Sequence, residues 1–247
     1  SRMNYRNTLS EKTAVLLESK MKKRLDQIKE RIRQAAETSG RDADSVRLVA
    51  VSKTVPTDIV RQALEIGVTI LGENYVQEAQ KKFQTLVQYP ASWHFIGHLQ
   101  SNKAKYAARM FDLIHSVDSI KLARELDRQA CKIGKIQDIL IQVNTGKEAS
   151  KSGVYVEEAL TLVREAGQMS HIAIKGLMTL PPYFNAPDRV RPYFQALREL
   201  RDRIASESLP GIAMNELSMG MTGDFEAAIQ EGATLVRIGT ALFGERA

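Results

Sequence analysis

Lys53 directly follows the apolar run LVAVS. A lysine at the end of a buried strand needs either a route to water or a task. Desolvated there, its amine would have a lowered pKa and would attack an aldehyde readily. Position alone favours the plainer alternative, a lysine snorkelling to the surface at the start of a loop. Two later segments shift that balance. SMGMTGDFEAA begins at Ser218 and GTALFGE at Gly239 and Thr240, and each reads as a flexible strand-to-helix turn. Backbone N–H groups at helix N-termini attract phosphate, and the Ser218 and Thr240 hydroxyls can add bonds. The alternative is that both hydroxyls are helix caps and that Gly220, Gly223 and Gly239 serve turns. Arg237 stands two residues before Gly239. Facing inward, it would be costly unless paired and could hold an acceptor such as a ring nitrogen. Facing outward, it would bond helix carboxylates, and periodicity does not decide between the two.

The elements that must position these groups are legible. Residues 11–39 form an amphipathic helix with Leu17, Met21, Leu25, Ile28, Ile32 and Ala35 on one stripe. Gly40 stops it. Eight short apolar runs follow: 46–52, 68–72, 93–97, 111–116, 138–144, 172–178, 211–218 and 234–239. They read as parallel strands buried on both faces. Helical stretches separate them, several ending at a glycine. Eight strand–helix alternations predict a single (β/α)8 TIM barrel of the α/β class with an extra N-terminal helix. An open doubly wound sheet is the alternative. In such a barrel, function gathers in the loops after each strand. Those ends carry Lys53, Asn74, His98, Ser116, Asn144, Met178, Ser218 and Gly239–Thr240.

The chain has 247 residues, one cysteine and a net charge of +6. Its length suits one barrel domain over 11–247, with residues 1–10 expected to be a disordered or expression-derived N-terminus. The basic clusters alternate with apolar residues at helical spacing, so they read as solvated faces and nucleic acid is not an expected partner. No apolar run is long enough for a membrane. A polar N-terminus and the lone Cys131 fit the cytoplasm. Cys131 reads as a core residue of a helix. His94, His115 and His171 lack ligand spacing, so no metal is expected.

The segments GRDADSVRLVAVSKTVP, ILGENYVQEAQKK, WHFIGHLQSNK, IHSVDS, KSGV, IKGLMTL and ELSMGMTGDFEAAIQEGATLVRIGTALFGER occur in this order over residues 40–246. Together they resemble the pyridoxal phosphate homeostasis protein family, whose members resemble the N-terminal barrel of alanine racemase without its second domain. The resemblance implies pyridoxal 5′-phosphate as cofactor, bound to Lys53 as a Schiff base. Arg237 would face the pyridine nitrogen. Ser218, Gly239 and Thr240 would hold the phosphate together with the backbone at Met219. Asn74 would lie near the ring, His98 and Met178 would line the cleft, and Lys151 would sit at its edge. Val55 and the VNTGKEASKSG loop depart from the family's usual pattern.

The implied role is binding, buffering and delivery of pyridoxal phosphate, with effects on amino-acid balance, and no catalytic residue. An arginine at the pyridine nitrogen would leave the ring a poor electron sink. Racemisation needs a second base on the opposite face, which alanine racemase takes from the domain missing here. The alternative is a pyridoxal-phosphate-dependent amino-acid racemase or related enzyme. Expected partners are free amino acids, by transimination, and apo pyridoxal-phosphate enzymes. The expected state is a monomer.

Overall fold

The computed structural model describes residues 2–148 and 152–245. The strands are β1 (Arg47–Val51), β2 (Ile70–Glu73), β3 (Ser92–Phe95), β4 (Leu113–Val117), β5 (Gln137–Asn144), β6 (Val154–Tyr155), β7 (Ile172–Met178), β8 (Glu216–Ser218) and β9 (Leu235–Ile238). All pairings are parallel, and β4 pairs β5 to close the order β4-β3-β2-β1-β9-β8-β7-β5 into an eight-stranded barrel. The open sheet is therefore excluded. Each expected run supplies one barrel strand. The run 211–218 pairs only over Glu216–Ser218, and the two-residue β6, unexpected from the sequence, lies outside the barrel against β5.

The helices are α1 (Arg2–Thr38), α2 (Thr57–Glu65), α3 (Val76–Leu86), α4 (Ala104–Met110), α5 (Ile120–Lys132), α6 (Val156–Ala166), α7 (Pro187–Ser206), α8 (Phe225–Gln230) and α9 (Thr240–Phe243). The last is too short to cover the seam between β9 and β1. Helix α1 does so instead, packing against α2, α8 and α9. Its buried stripe is Met21, Leu25, Ile28, Ile32, Ala35 and Ala36, whereas Leu17 is exposed. Arg31 bonds Glu226 at 2.6 Å and lies over the Phe225 ring, pinning α1 to α8. Cys131, expected in the core, is exposed on α5, because its position falls on the face away from the barrel.

Strand alternation divides the interior from the helix-facing layer. Val49, Ile70, Leu113, Leu140, Met178 and Leu235, one from each of six strands, form an apolar cluster separate from the main core. This cluster lies inside the barrel. Ile174 and Leu177 both face the outer core, because Lys175 is an extra residue where β7 shifts register against β5. That bulge turns Met178 inward.

Candidate functional site

Lys53 sits in a tight turn off β1. The Val55 N–H donates to Ser52 O at 3.0 Å, and Thr54 has φ +62°. A positive φ at the third residue is the type II signature, and it normally calls for glycine or asparagine. A β-branched residue there is strained by roughly 1–3 kcal/mol, so neighbours must hold it. They are visible. The Thr54 N–H donates to Glu78, and the buried Lys82 ammonium donates to Ser52 O. Lys82 Nζ also lies 2.9 Å from Glu78 Oε1 and 2.8 Å from Glu73 Oε1. Neither Glu73 oxygen meets a donor at hydrogen-bonding angles, so charge holds that pair. Burial outweighs the Lys82 attraction and pushes the Glu73 carboxyl up to about 7. Lys53 itself is half-buried and shares the inward parity of Val49 and Val51.

Arg237 faces inward, which settles the choice that periodicity left open. Its neighbours Val236 and Ile238 are in the outer core, while Leu235 is in the barrel cluster. Its guanidinium is 2% exposed; Nη1 donates to Ser218 Oγ at 2.5 Å and Nη2 to Thr179 O at 2.9 Å. Burial draws its pKa down to about 10, opposed by Asp224. Among the described residues no carboxylate lies within ion-pair distance of it.

The loops after β8 and β9 are tied to each other. Arg237 N–H donates to Gly220 O at 2.9 Å, and Ala241 N–H approaches Thr222 Oγ1 at 3.4 Å. Gly220 has φ +98°, and a Cβ there would lie 2.6 Å from the Ala228 Cβ, so only glycine fits. Met219 N–H is engaged with Leu235 O, and its side chain packs in the outer core. Ser218 is fully buried, Gly239 half-buried and Thr240 exposed. Register brings Lys53 to this group: β1 and β9 pair Val49 with Arg237 and Ala50 with Ile238, so the Lys53 turn leaves β1 beside Gly239 and Thr240.

Across the mouth, Asn74 follows β2, and its buried Oδ1 has no partner among the described residues. Gly97 allows this placement, because a Cβ there would meet Asn74 O at 2.4 Å. Asn74 and the exposed His98 line one cleft of about 490 Å³. Ser116 Oγ, at the end of β4, is a second buried atom without a partner. Met178 is fully buried beneath the mouth. Lys151 lies outside the described residues. The loop before it is anchored by Asn144, which bonds Glu148 O at 2.7 Å, and Asp118 accepts from Gly153 N–H at 2.9 Å.

Sequence reading missed the histidines. His115 Nδ1 lies 2.8 Å from Ser218 Oγ, and His115 Nε2 lies 2.9 Å from His94 Nδ1. Both rings occupy inward positions. Burial draws the His94 imidazole down to about 3 and His115 well below the usual value, so both are neutral. Polar residues alternating with core residues inside WHF and LIHS were the available signal. Lys82, between the second and third apolar runs, was missed as well.

A closed parallel barrel with a lysine turn after its first strand, a buried arginine in its last, and glycine loops beside both is a barrel of the alanine racemase N-terminal type. The alanine racemase N-terminal domain family matches residues 24–247. The chain belongs to that family and, within it, to the pyridoxal phosphate homeostasis proteins. It is 47% identical over 223 residues to the pyridoxal phosphate homeostasis protein of Aquifex aeolicus, covering 90% of this chain and 97% of that one. PipY of Synechococcus elongatus PCC7942, solved with PLP bound, superposes with TM-score 0.80 at 35% identity, covering 91% of this chain and 100% of PipY. An unknown protein from Bifidobacterium adolescentis superposes with TM-score 0.86 at 36% identity, covering 92% of this chain and 96% of that one. Among the described residues no helix is long and apolar enough to cross a membrane, and no cluster of histidine, cysteine, aspartate or glutamate could hold a metal.

Proposed function

We propose that this chain binds pyridoxal 5′-phosphate through a Schiff base to Lys53 and serves to buffer and deliver it, with effects on amino-acid balance. The observation that carries this reading is Arg237, a buried guanidinium with no carboxylate within ion-pair distance among the described residues, on the strand paired with β1, which leads into the Lys53 turn. An uncompensated buried cation calls for an electron-rich ligand. The unpartnered Asn74 Oδ1 and Ser116 Oγ fit a polar ring substituent in the same mouth. PipY's bound PLP supports the choice of ligand.

When bound, the cofactor supplies an aldehyde carbon, which an amine joins reversibly with loss of water. The chain's own residues do the rest. The Ser52–Val55 turn that carries Lys53 is braced by Glu78 and Lys82. The Gly239–Thr240 backbone and the Ser218 hydroxyl are assigned to the phosphate, with Gly220 shaping the adjoining loop. The Met219 backbone keeps Ser218 in register through its bond to Leu235. Arg237 is assigned to the pyridine nitrogen, where a donor that stays charged keeps that nitrogen unprotonated. Met178 floors the mouth, while His98 and Lys151 are assigned to its rim. Free amino acids would exchange with Lys53, apo pyridoxal-phosphate enzymes would receive the cofactor, and the protein would act as a cytoplasmic monomer over a barrel domain of residues 11–247.

The test is borohydride reduction of the protein mixed with pyridoxal phosphate, followed by peptide mass mapping. The adduct should map to Lys53 and vanish in Lys53→Ala. An adduct unaffected by that substitution overturns the assignment. Rapid exchange of amino-acid α-protons dependent on Lys53 would overturn the non-catalytic role.

A further inference from the structure

A hydrogen-bonded file crosses the barrel interior: Arg237 Nη1, Ser218 Oγ, His115 Nδ1, His115 Nε2 and His94 Nδ1, with separations of 2.5, 2.8 and 2.9 Å. At its far end His94 lines a cavity of about 280 Å³ at the N-terminal ends of the strands, beside Arg47, Asp112, Asp138, Lys175 and Glu216. His94 Nε2 has no hydrogen-bond partner among the described residues.

Counting protons restricts this file to two states. Arginine only donates, so Arg237 occupies one lone pair of Ser218 Oγ. A hydroxyl has one proton and two lone pairs, and a neutral imidazole has one donor and one acceptor. In the first state, Ser218 donates to His115 Nδ1, His115 Nε2–H donates to His94 Nδ1, and His94 turns an N–H toward the far cavity. In the second, His94 Nδ1–H donates to His115 Nε2, and His115 Nδ1–H donates to Ser218. Both Ser218 lone pairs are then filled, and its proton is free for an acceptor at the mouth. Without such an acceptor the proton has no partner among the described residues, so the first state prevails.

We infer that His115 is a positioning residue whose tautomer decides whether Ser218 can donate to an anionic oxygen at the mouth, and that His94 carries this choice to the opposite end of the barrel. The inference rests on the assignment of Ser218 to the phosphate. A phosphate oxygen accepting the Ser218 proton selects the second state. Each proton then moves one place along the file: that of Ser218 to His115 Nδ1, that of His115 Nε2 to His94 Nδ1 and that of His94 Nε2 to water in the far cavity, while Ser218 takes a proton from water at the mouth, so net charge is unchanged and His94 Nε2 becomes an acceptor. Ligand occupancy is thereby written into a surface on the other side of the molecule. The low pKa values of both rings keep the file neutral through the physiological range.

The test is long-range proton–nitrogen correlation on protein labelled with ¹⁵N-histidine, which has only four histidines to resolve. Free protein should show His94 and His115 as Nε2–H tautomers. Saturation with pyridoxal phosphate, verified by trapping the Lys53 adduct, should convert both to Nδ1–H. In Ser218→Ala, tautomer conversion should be lost even when the adduct is trapped. Unchanged tautomers in loaded wild-type protein overturn the inference. If no Lys53 adduct forms, the proposed function fails separately, and inorganic phosphate then serves as the probe: conversion supports the file, and no conversion overturns it. His115→Asn places an amide at the Nδ1 position, and His115→Gln places one at Nε2. Cofactor dissociation should stay within about threefold of wild type in the asparagine variant and quicken by about tenfold in the glutamine variant, which leaves the Ser218 hydroxyl without the donor that turns its proton toward the mouth. Equal dissociation from the two variants counts against the role of His115.

Discussion

Arg237 on β9 is the register partner of Val49 on β1, and Lys53 stands four residues beyond Val49 on the same inward parity. This places a buried cation beneath the turn that carries Lys53, and among the described residues no carboxylate lies within ion-pair distance of it, Asp224 acting on it only from farther off. The arrangement is costly without a ligand and favourable with one. Arg237→Met should therefore raise the melting temperature of the ligand-free protein or leave it unchanged, because removing an uncompensated buried charge offsets the lost hydrogen bonds. The stabilisation brought by pyridoxal phosphate should shrink. Thermal melts with and without the cofactor check both, and a drop of several degrees in the ligand-free variant would show that Arg237 is structural.

Lys82 should matter more to the Lys53 turn than its place in a surface helix suggests. It neutralises the fully buried Glu73 and holds Ser52 O. Lys82→Met leaves that carboxyl to protonate and Ser52 O without its donor, at a cost of about 1–3 kcal/mol. Adding Glu73→Gln should recover much of the loss, since the two groups interact directly. Urea denaturation of the two single variants and the double variant measures the coupling. Additive losses would mean that the pair does not interact.

Stability should fall on acidification from pH 6.5. His94 is neutral down to about pH 3 when folded but titrates near 6.5 when unfolded, so the unfolded chain binds more protons in between. Its contribution is complete above 6.5 and is lost as pH falls through that window. His115 shifts in the same direction. Glu73 opposes them: its folded pKa of about 7 exceeds the unfolded 4.5, so its contribution is lost as pH rises between those values. Two imidazoles against one carboxyl leave a net loss toward acid, each proton contributing about 1.4 kcal/mol per pH unit at most. Urea midpoints from pH 4 to 8 should show a shallower slope for His94→Gln and a steeper one for Glu73→Gln between 4.5 and 6.5. An unchanged slope in His94→Gln would remove this account.

Gly220→Ala should be among the most damaging small substitutions. It forces a side chain into φ +98° and a Cβ to 2.6 Å from the Ala228 Cβ. A loss of about 3 kcal/mol or more is expected, combining strain with overpacking. Gly223→Ala, where a Cβ meets nothing within 4 Å, is the control and should stay within about 1 kcal/mol of wild type. Equal losses at the two positions would show that the loop relaxes.

Much of the mouth was legible because a barrel puts its strand ends on one rim. Position placed Lys53, Asn74, Ser218 and Gly239 at strand ends, and the closed ring of strands bears out the eight alternations. The direction of Arg237 was not legible, since one residue of register reverses a side chain. Nor was the inward turn of Met178, which depends on the extra residue Lys175 in β7. His94 and His115 lack ligand spacing because they do not act as a local motif. They lie on neighbouring strands, and His115 meets Ser218 across a sequence separation of 103 residues.

By itself, then, the sequence determined the alternation of strands and helices, the lysine after the first strand and the glycine turns after the last two. These follow from local hydrophobic period and turn chemistry, which neighbouring residues dictate. Only the tertiary structure decided which polar side chains enter the barrel and whom they meet. Closure, bulges and register are properties of strand pairs far apart in the chain, and they set the Arg237–Ser218–His115–His94 file and the Lys82 brace beneath Lys53.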